Sequence, residues 1–182
     1  MIELITNRLI IRDHIMEDLK THHQLMSDPE IMTYLEDIQT HSIEESKKNL
    51  LFSIEESKKE ERKCYFFAMI EKESHHHVGS IGFTIFEKNE TGGNCEIGYF
   101  LLKEFWHMGY TTEAAQAVID FAFDTLNMHK IIAGCIAENV RSERIMKKLG
   151  MVKEGHLKQH VLHKNIWKDR VEYALFKNKT ID

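Results

Sequence analysis

The chain has 182 residues, 42% of them apolar, and a net charge of −5 from 24 Lys and Arg against 29 Asp and Glu. That length suits one domain, residues 1–182, able to bury a real core. Acids interrupt every basic stretch, which argues against nucleic acid and anionic membranes as partners, since both need a basic footprint. No segment approaches the roughly 20 apolar residues of a spanning helix. Met1-Ile2-Glu3-Leu4 lacks the pattern of a signal peptide. Cys64, Cys95 and Cys135 are widely spaced and odd in number, so neither a zinc ribbon nor a disulfide framework is expected. The expected compartment is the reducing cytoplasm.

Arg8-Leu9-Ile10-Ile11-Arg12 alternates toward a strand. Ile15, Leu19, His22 and Leu25-Met26 follow with helical spacing, and Asp28-Pro29-Glu30 has the form of a helix start. The spacing predicts the clearest helix over residues 42–62, with Ser42 and Glu45 as a capping box and Ile43, Leu50, Leu51 and Ile54 on one face. Ile-Glu-Glu-Ser-Lys-Lys occurs at 43–48 and again at 54–59, an offset of 11 that keeps both copies on one side. Glu44 with Lys48, and Glu55 with Lys59, are i,i+4 pairs, so the repeat reads as a solvated helix face.

Strands then dominate. Residues 64–70, 78–86 and 94–102 are apolar runs, and Thr91-Gly92-Gly93-Asn94 signals a turn between the last two. Ala115, Val118, Ala122 and Leu126 predict a helix over 112–127. Residues 131–136 read as a strand and 141–149 as a short helix. A final strand pair, 151–162 and 167–177, flanks a Lys164-Asn165 turn. Mixed strand order with inserted helices gives an α/β or α+β sheet protein.

Gly109 sits where strand and loop meet a helix. First-turn amides lack intrahelical partners and carry the positive end of the helix dipole, and glycine admits close approach of an anion. The amides of Met108, Gly109, Tyr110, Thr111 and Thr112 would form a diphosphate cradle, with the two threonine hydroxyls adding bonds or capping the helix. The segment is neither a Walker A loop nor a Gly-x-Gly-x-x-Gly turn.

Trp106-His107-Met108-Gly109-Tyr110-Thr111-Thr112-Glu113-Ala114 resembles the coenzyme A turn of the GCN5-related N-acetyltransferase (GNAT) superfamily, in the form found in ribosomal-protein alanine acetyltransferases of the RimJ/RimL type. His107 and Thr111 stand where that pattern commonly has glycine and alanine. Four further segments resemble the subgroup in order: Arg8 to Arg12, Ser27-Asp28-Pro29-Glu30, Glu96-Ile97-Gly98-Tyr99, and Asn139-x-x-Ser142 with Leu149-Gly150. Together they cover nearly the whole chain.

The resemblance implies the GNAT fold: a mixed, mostly antiparallel twisted sheet of six to seven strands, flanked by helices, with a V-shaped opening between two central parallel strands. It implies transfer of acetyl from acetyl-CoA to a primary amine by direct attack in a ternary complex, without a metal. Glu96 is the candidate general base, acting through water, against the alternative of a surface strand glutamate. Phe100, Leu101 and Leu102 would offer main-chain groups to the pantetheine arm, besides serving as core. Asn139 would bond that arm or cap the next helix. Ser142 would bond the coenzyme or protonate the departing thiolate. Many superfamily members use for that step a tyrosine seven residues beyond the asparagine; here the position is Met146. The acceptor is expected to be a protein N-terminal α-amine. A small amine (polyamine, aminoglycoside or amino acid) and a non-catalytic coenzyme A-binding module are the alternatives. The resemblance also suggests a homodimer, and that residues 34–37 and 160–167 wall the acceptor cleft. His75-His76-His77 is adjacent rather than spaced and reads as a solvated loop.

Overall fold

The computed structural model describes residues 1–177. Its strands are β1 (Glu3–Ile5), β2 (Leu9–Asp13), β3 (Cys64–Glu71), β4 (His77–Asn89), β5 (Gly92–Leu101), β6 (Lys130–Ile136), β7 (Val152–His163) and β8 (Ile166–Phe176). Its α-helices are α1 (Leu19–Ser27), α2 (Ile43–Glu56), α3 (Tyr110–Asp120) and α4 (Val140–Lys148). Hydrogen-bonded strand neighbours follow the order β1-β2-β3-β4-β5-β6-β8-β7. The sheet is mixed and mostly antiparallel, with one parallel pair, β5 with β6. It has eight strands rather than six to seven, the addition being β1, whose three residues pair with β2 from Glu3↔Arg12 to Ile5↔Ile10.

The described residues form two compact units, and β4, β5 and the α3 segment each run from one into the other. The first comprises residues 1–84 and 98–118. Leu9, Ile11, Leu25, Leu50, Phe67, Met69 and Ala114 are completely buried there. Helix α2 ends at Glu56, six residues before the expected 62. The Ser57 hydroxyl bonds back to the Ile54 carbonyl, and Glu56 turns inward to the Cys64 amide and to Lys59. The buried stripe of α2 is Ser46, Leu50, Ser53 and Glu56, while Ile43 is exposed. Serines can be buried because they are bonded: the Ser46 oxygen lies 2.6 Å from Thr40 Oγ1 and 2.8 Å from His23 Nδ1. No helix grows from Asp28. Its Oδ1 accepts from the amides of Glu30 and Ile31, but the Thr33 hydroxyl bonds back to the Pro29 and Glu30 carbonyls and the chain makes only turns.

The second unit comprises residues 85–97 and 119–177. Its core includes Cys95, Ile97, Ala122, Met128, Ile131, Met146, Val171 and Ala174. The parallel register runs from Asn94↔Lys130 to Glu96↔Ile132, whereas β6 pairs with β8 along its whole length, to Ile136↔Arg170. Lys164 and Asn165 both have left-handed φ, 50° and 61°, as a tight hairpin between twisted strands demands. Past Asp120, α3 widens into a π-helical turn, Phe121–Thr125.

Candidate active site

The turn before α3 begins after a short 3-10 segment, Lys103–Phe105. His107 and Gly109 are left-handed, with φ of 64° and 83°. Position 107, where the resemblance leads one to expect glycine, is thus left-handed, and this chain holds histidine in a glycine-like backbone. His107, Met108 and Gly109 are exposed. Among the described residues the amides of Met108 to Thr112 donate to no acceptor. A Cβ on Gly109 would meet only Arg8 Nη2, at 3.5 Å. Unpaired donors at a helix N-terminus, beside an open glycine, fit a diphosphate.

Sequence reasoning passed over what holds this turn. Glu113, in the first turn of α3, accepts from Thr6 Oγ1 at 2.7 Å, the Arg8 amide at 2.7 Å and Arg8 Nε at 2.7 Å. Arg8 Nη1 donates to the Met108 carbonyl at 2.9 Å, and the guanidinium lies 4.4 Å from the Tyr110 ring centroid. The Tyr110 hydroxyl in turn donates to Glu71. Burial would raise the Glu113 carboxyl, but the bonds from Thr6 and Arg8 prevail and hold it low. Arg8 and Glu113 both lay inside recognised motifs; their pairing was the missing signal.

At the end of β5 several main-chain groups are already engaged. The Leu102 amide donates to the Val78 carbonyl at 2.9 Å, its carbonyl accepts from the Phe105 amide, and the Leu101 carbonyl accepts from Trp106 Nε1 at 3.0 Å. Successive strand residues send their amides to opposite edges, so the Leu101 amide points away from β4. Leu101 is buried; Phe100 and Leu102 are half-buried.

The second unit holds Glu96, Asn139 and Ser142. Glu96 is half-buried, with Oε1 accepting from Arg170 Nη2 at 2.7 Å. Arg170, on β8, also donates through Nε to Glu172 at 3.0 Å and lies flat against Gly134 of β6. A Cβ on Gly134 would stand 2.4 Å from that guanidinium, so the glycine makes room for the ion pair. Glu96 Oε2 has no partner among the described residues.

Asn139 is the N-cap of α4, its Oδ1 accepting from the Ser142 amide at 3.2 Å. Its side-chain NH2 donates to nothing among the described residues. The Ser142 hydroxyl lies beside the Cys135 thiol; burial pushes that thiol up and the hydroxyl pulls it partly back. Met146 is fully buried and offers no proton. Tyr173, from β8, donates to Glu143 at 2.6 Å, a bond not foreseen. Cys95 is a core thiol, pushed by burial up to about 12.

The family profile described as "Acetyltransferase (GNAT) domain" matches residues 8–152, and the chain belongs to that family, in its RimJ/RimL-like branch. It is an N-acetyltransferase of a family that uses acetyl-CoA. It is 32% identical over 175 residues to an uncharacterized N-acetyltransferase, YnaD, of Bacillus subtilis, covering 96% of each chain. Among solved structures it is similar to a ribosomal-protein-S5-alanine acetyltransferase from Vibrio fischeri, with TM-score 0.85, 22% identity and 98% of each chain covered. It is also similar to a spermidine N-acetyltransferase from Vibrio cholerae in complex with CoA and spermine, with TM-score 0.81, 20% identity, and 96% and 99% of the two chains covered. Among the described residues no helix is long and apolar enough to cross a membrane, and no group of three His, Cys, Asp or Glu is arranged to hold a metal ion.

Proposed function

We propose that residues 1–182 act as one cytoplasmic acetyltransferase domain, a homodimer, that moves acetyl from acetyl-CoA to a protein N-terminal α-amine by direct attack in a ternary complex. The observation that carries the donor half is the row of unpartnered amides from Met108 to Thr112 around left-handed Gly109. Phosphoryl oxygens there gain charge-assisted hydrogen bonds worth roughly 1.5–3 kcal/mol each. In the first unit the Leu101 amide, between Phe100 and Leu102, is a donor suited to the pantetheine arm; in the second unit the Asn139 side-chain NH2 is another.

The attacking amine must be neutral. An α-amine, with an ordinary pKa near ~7.7–8.0, gives up its proton far more readily than a lysine-type amine near ~10.4. Glu96 takes that proton through a water at Oε2, with Arg170 fixing the carboxylate by Oε1. The Ser142 hydroxyl supplies a hydrogen bond or proton to the leaving thiolate, whose ordinary pKa near ~8.5 asks for little help. Proximity in one ternary complex supplies much of the remaining acceleration.

One feature favours a second reading, a cationic small amine such as a polyamine. A hollow of about 360 Å³ beside Leu102 is lined by Asp28, Lys103 and Glu104; Lys103 pairs with Asp28 at 3.0 Å, which leaves Glu104 as the carboxylate open to a cation. A thiol-release screen across N-terminal peptides, polyamines and aminoglycosides tests both readings. Turnover confined to peptides supports the α-amine; turnover confined to polyamines supports the second reading and overturns the first.

A further inference from the structure

We infer that Arg8 is a positioning residue for the coenzyme: clamped by Glu113, it aims the amides of the Gly109 turn outward and keeps the Glu113 carboxylate away from the anion. This rests on the reading of that turn as the diphosphate site. No role was assigned to either residue by the motifs that contain them.

The first part of the inference follows from peptide geometry. The carbonyl of Met108 and the amide of Gly109 belong to one planar trans unit, so they point in opposite directions. Arg8 Nη1 holds that carbonyl at 2.9 Å, which turns the Gly109 amide away from Arg8. The turn has few other restraints. Its residues 107–109 are exposed, and its neighbouring main-chain bonds are Trp106 to Lys103 and Glu113 to Gly109. Two left-handed residues leave it prone to relax if released.

The second part follows from charge. Glu113 lies in the first turn of α3, where a free carboxylate would occupy the positive end of the dipole and repel a diphosphate. Arg8 Nε and Nη2 both approach Glu113 Oε2 at 2.7 Å, while Oε1 is taken by the Arg8 amide and by Thr6 Oγ1. The carboxylate is thereby neutralised and drawn to the β2 side of the helix. The Lys72 amide, bonded to the Arg8 carbonyl at 2.9 Å, fixes the clamp to the β3 end. The Arg8 side chain is 41% exposed, so its pair with Glu113 adds little to folding. Its chief effect falls on ligand affinity, a split that a purely structural residue would not show.

The test is calorimetric titration of CoA into wild type, Arg8→Met, Glu113→Ala and the double variant, with a melting curve for each. Each single variant should weaken binding at least fivefold, Arg8→Met the more because it also frees the Glu113 carboxylate, and the double variant should bind no more weakly than Arg8→Met, because both remove one clamp and the double carries no freed carboxylate. A loss below fivefold in either single variant, or losses that multiply in the double, overturns the inference. If Arg8→Met does not fold, Arg8→Lys decides: it keeps a cation at the Met108 carbonyl but cannot bridge Glu113 in two places. At least threefold weaker binding supports the clamp and unchanged binding overturns it. Absence of CoA binding by wild type at millimolar concentration would instead overturn the reading of the turn itself.

Discussion

Replacing Gly109 with alanine separates folding from ligand binding at the turn. The new methyl would meet Arg8 Nη2 at 3.5 Å, an ordinary van der Waals contact, so no clash arises within the protein. The folding cost comes from holding an L-residue at φ 83°. That costs about 1–2 kcal/mol, offset by about 0.4–1 kcal/mol from a stiffer unfolded chain. Net destabilisation of about 1 kcal/mol is expected, a drop of a few degrees in Tm. The binding cost is larger. Phosphoryl oxygens that approach this backbone closely would lose at least one charge-assisted bond of roughly 1.5–3 kcal/mol to an added methyl, which is roughly 10- to 150-fold in Kd. Calorimetry with CoA and thermal melting measure the two effects on one preparation. A folded Gly109→Ala protein that binds CoA within twofold of wild type would refute the reasoning, because the ligand would then not approach this backbone.

Four further outcomes follow from the geometry. Glu96→Gln should lower kcat by about 10²-fold or more with CoA affinity within twofold, measured by thiol release and calorimetry; unchanged kcat removes Glu96 as base. Asn139→Asp keeps the acceptor that caps α4 but loses the side-chain NH2, so Tm should hold while CoA binds several-fold more weakly; equal affinity would leave Asn139 as a cap alone. Gly134→Ala forces the Arg170 guanidinium off β6, since the Cβ would stand 2.4 Å from it, so kcat should fall by more than the small loss in Tm accounts for; unaltered turnover would disconnect Arg170 from catalysis.

The fourth concerns pH. His22 and His77 are both shifted from an ordinary 6.5 to about 4, chiefly by burial. The unfolded state therefore holds more protons between those values, and stability rises with pH across the window. Urea unfolding at pH 5 should show a loss of roughly 2 kcal/mol per histidine relative to pH 7. Equal stability at the two pH values would contradict the buried, neutral state of these rings.

What the sequence made legible was local. The Lys164-Asn165 hairpin, the Ser42 cap and the Gly109 turn each arise from a few adjacent residues with specific backbone demands. The seven longer strands, of five residues or more, were readable from alternation, from apolar runs or from the turn that joins them, whereas β1, with three residues, leaves no period to detect. The helix start at Asp28 misled because capping was present but propagation was not: Thr33 competes for the carbonyls. The Ile43 face misled because hydroxyls of Ser46 and Ser53, bonded within the protein, took the buried positions.

Within the candidate site, the residues offering main-chain groups were visible through motifs, while the charges that hold them were not. Arg8 and Glu113 are 105 residues apart, and Arg170 and Glu96 are 74 apart. Neither pair leaves any periodic or compositional trace; each exists only because the fold brings the strands and helix together. Met146 shows the converse. Its lack of a hydroxyl was plain once the resemblance marked the position, and its complete burial follows from the same apolar character.

Amide NMR of uniformly ¹⁵N-labelled protein titrated with CoA probes the diphosphate cradle residue by residue. The amides of Met108 to Thr112 should show the largest saturable shifts, with downfield movement as hydrogen bonds form to phosphoryl oxygens. Saturable binding that leaves these five signals in place, or no saturation at millimolar CoA, would contradict the assignment of the Gly109 turn.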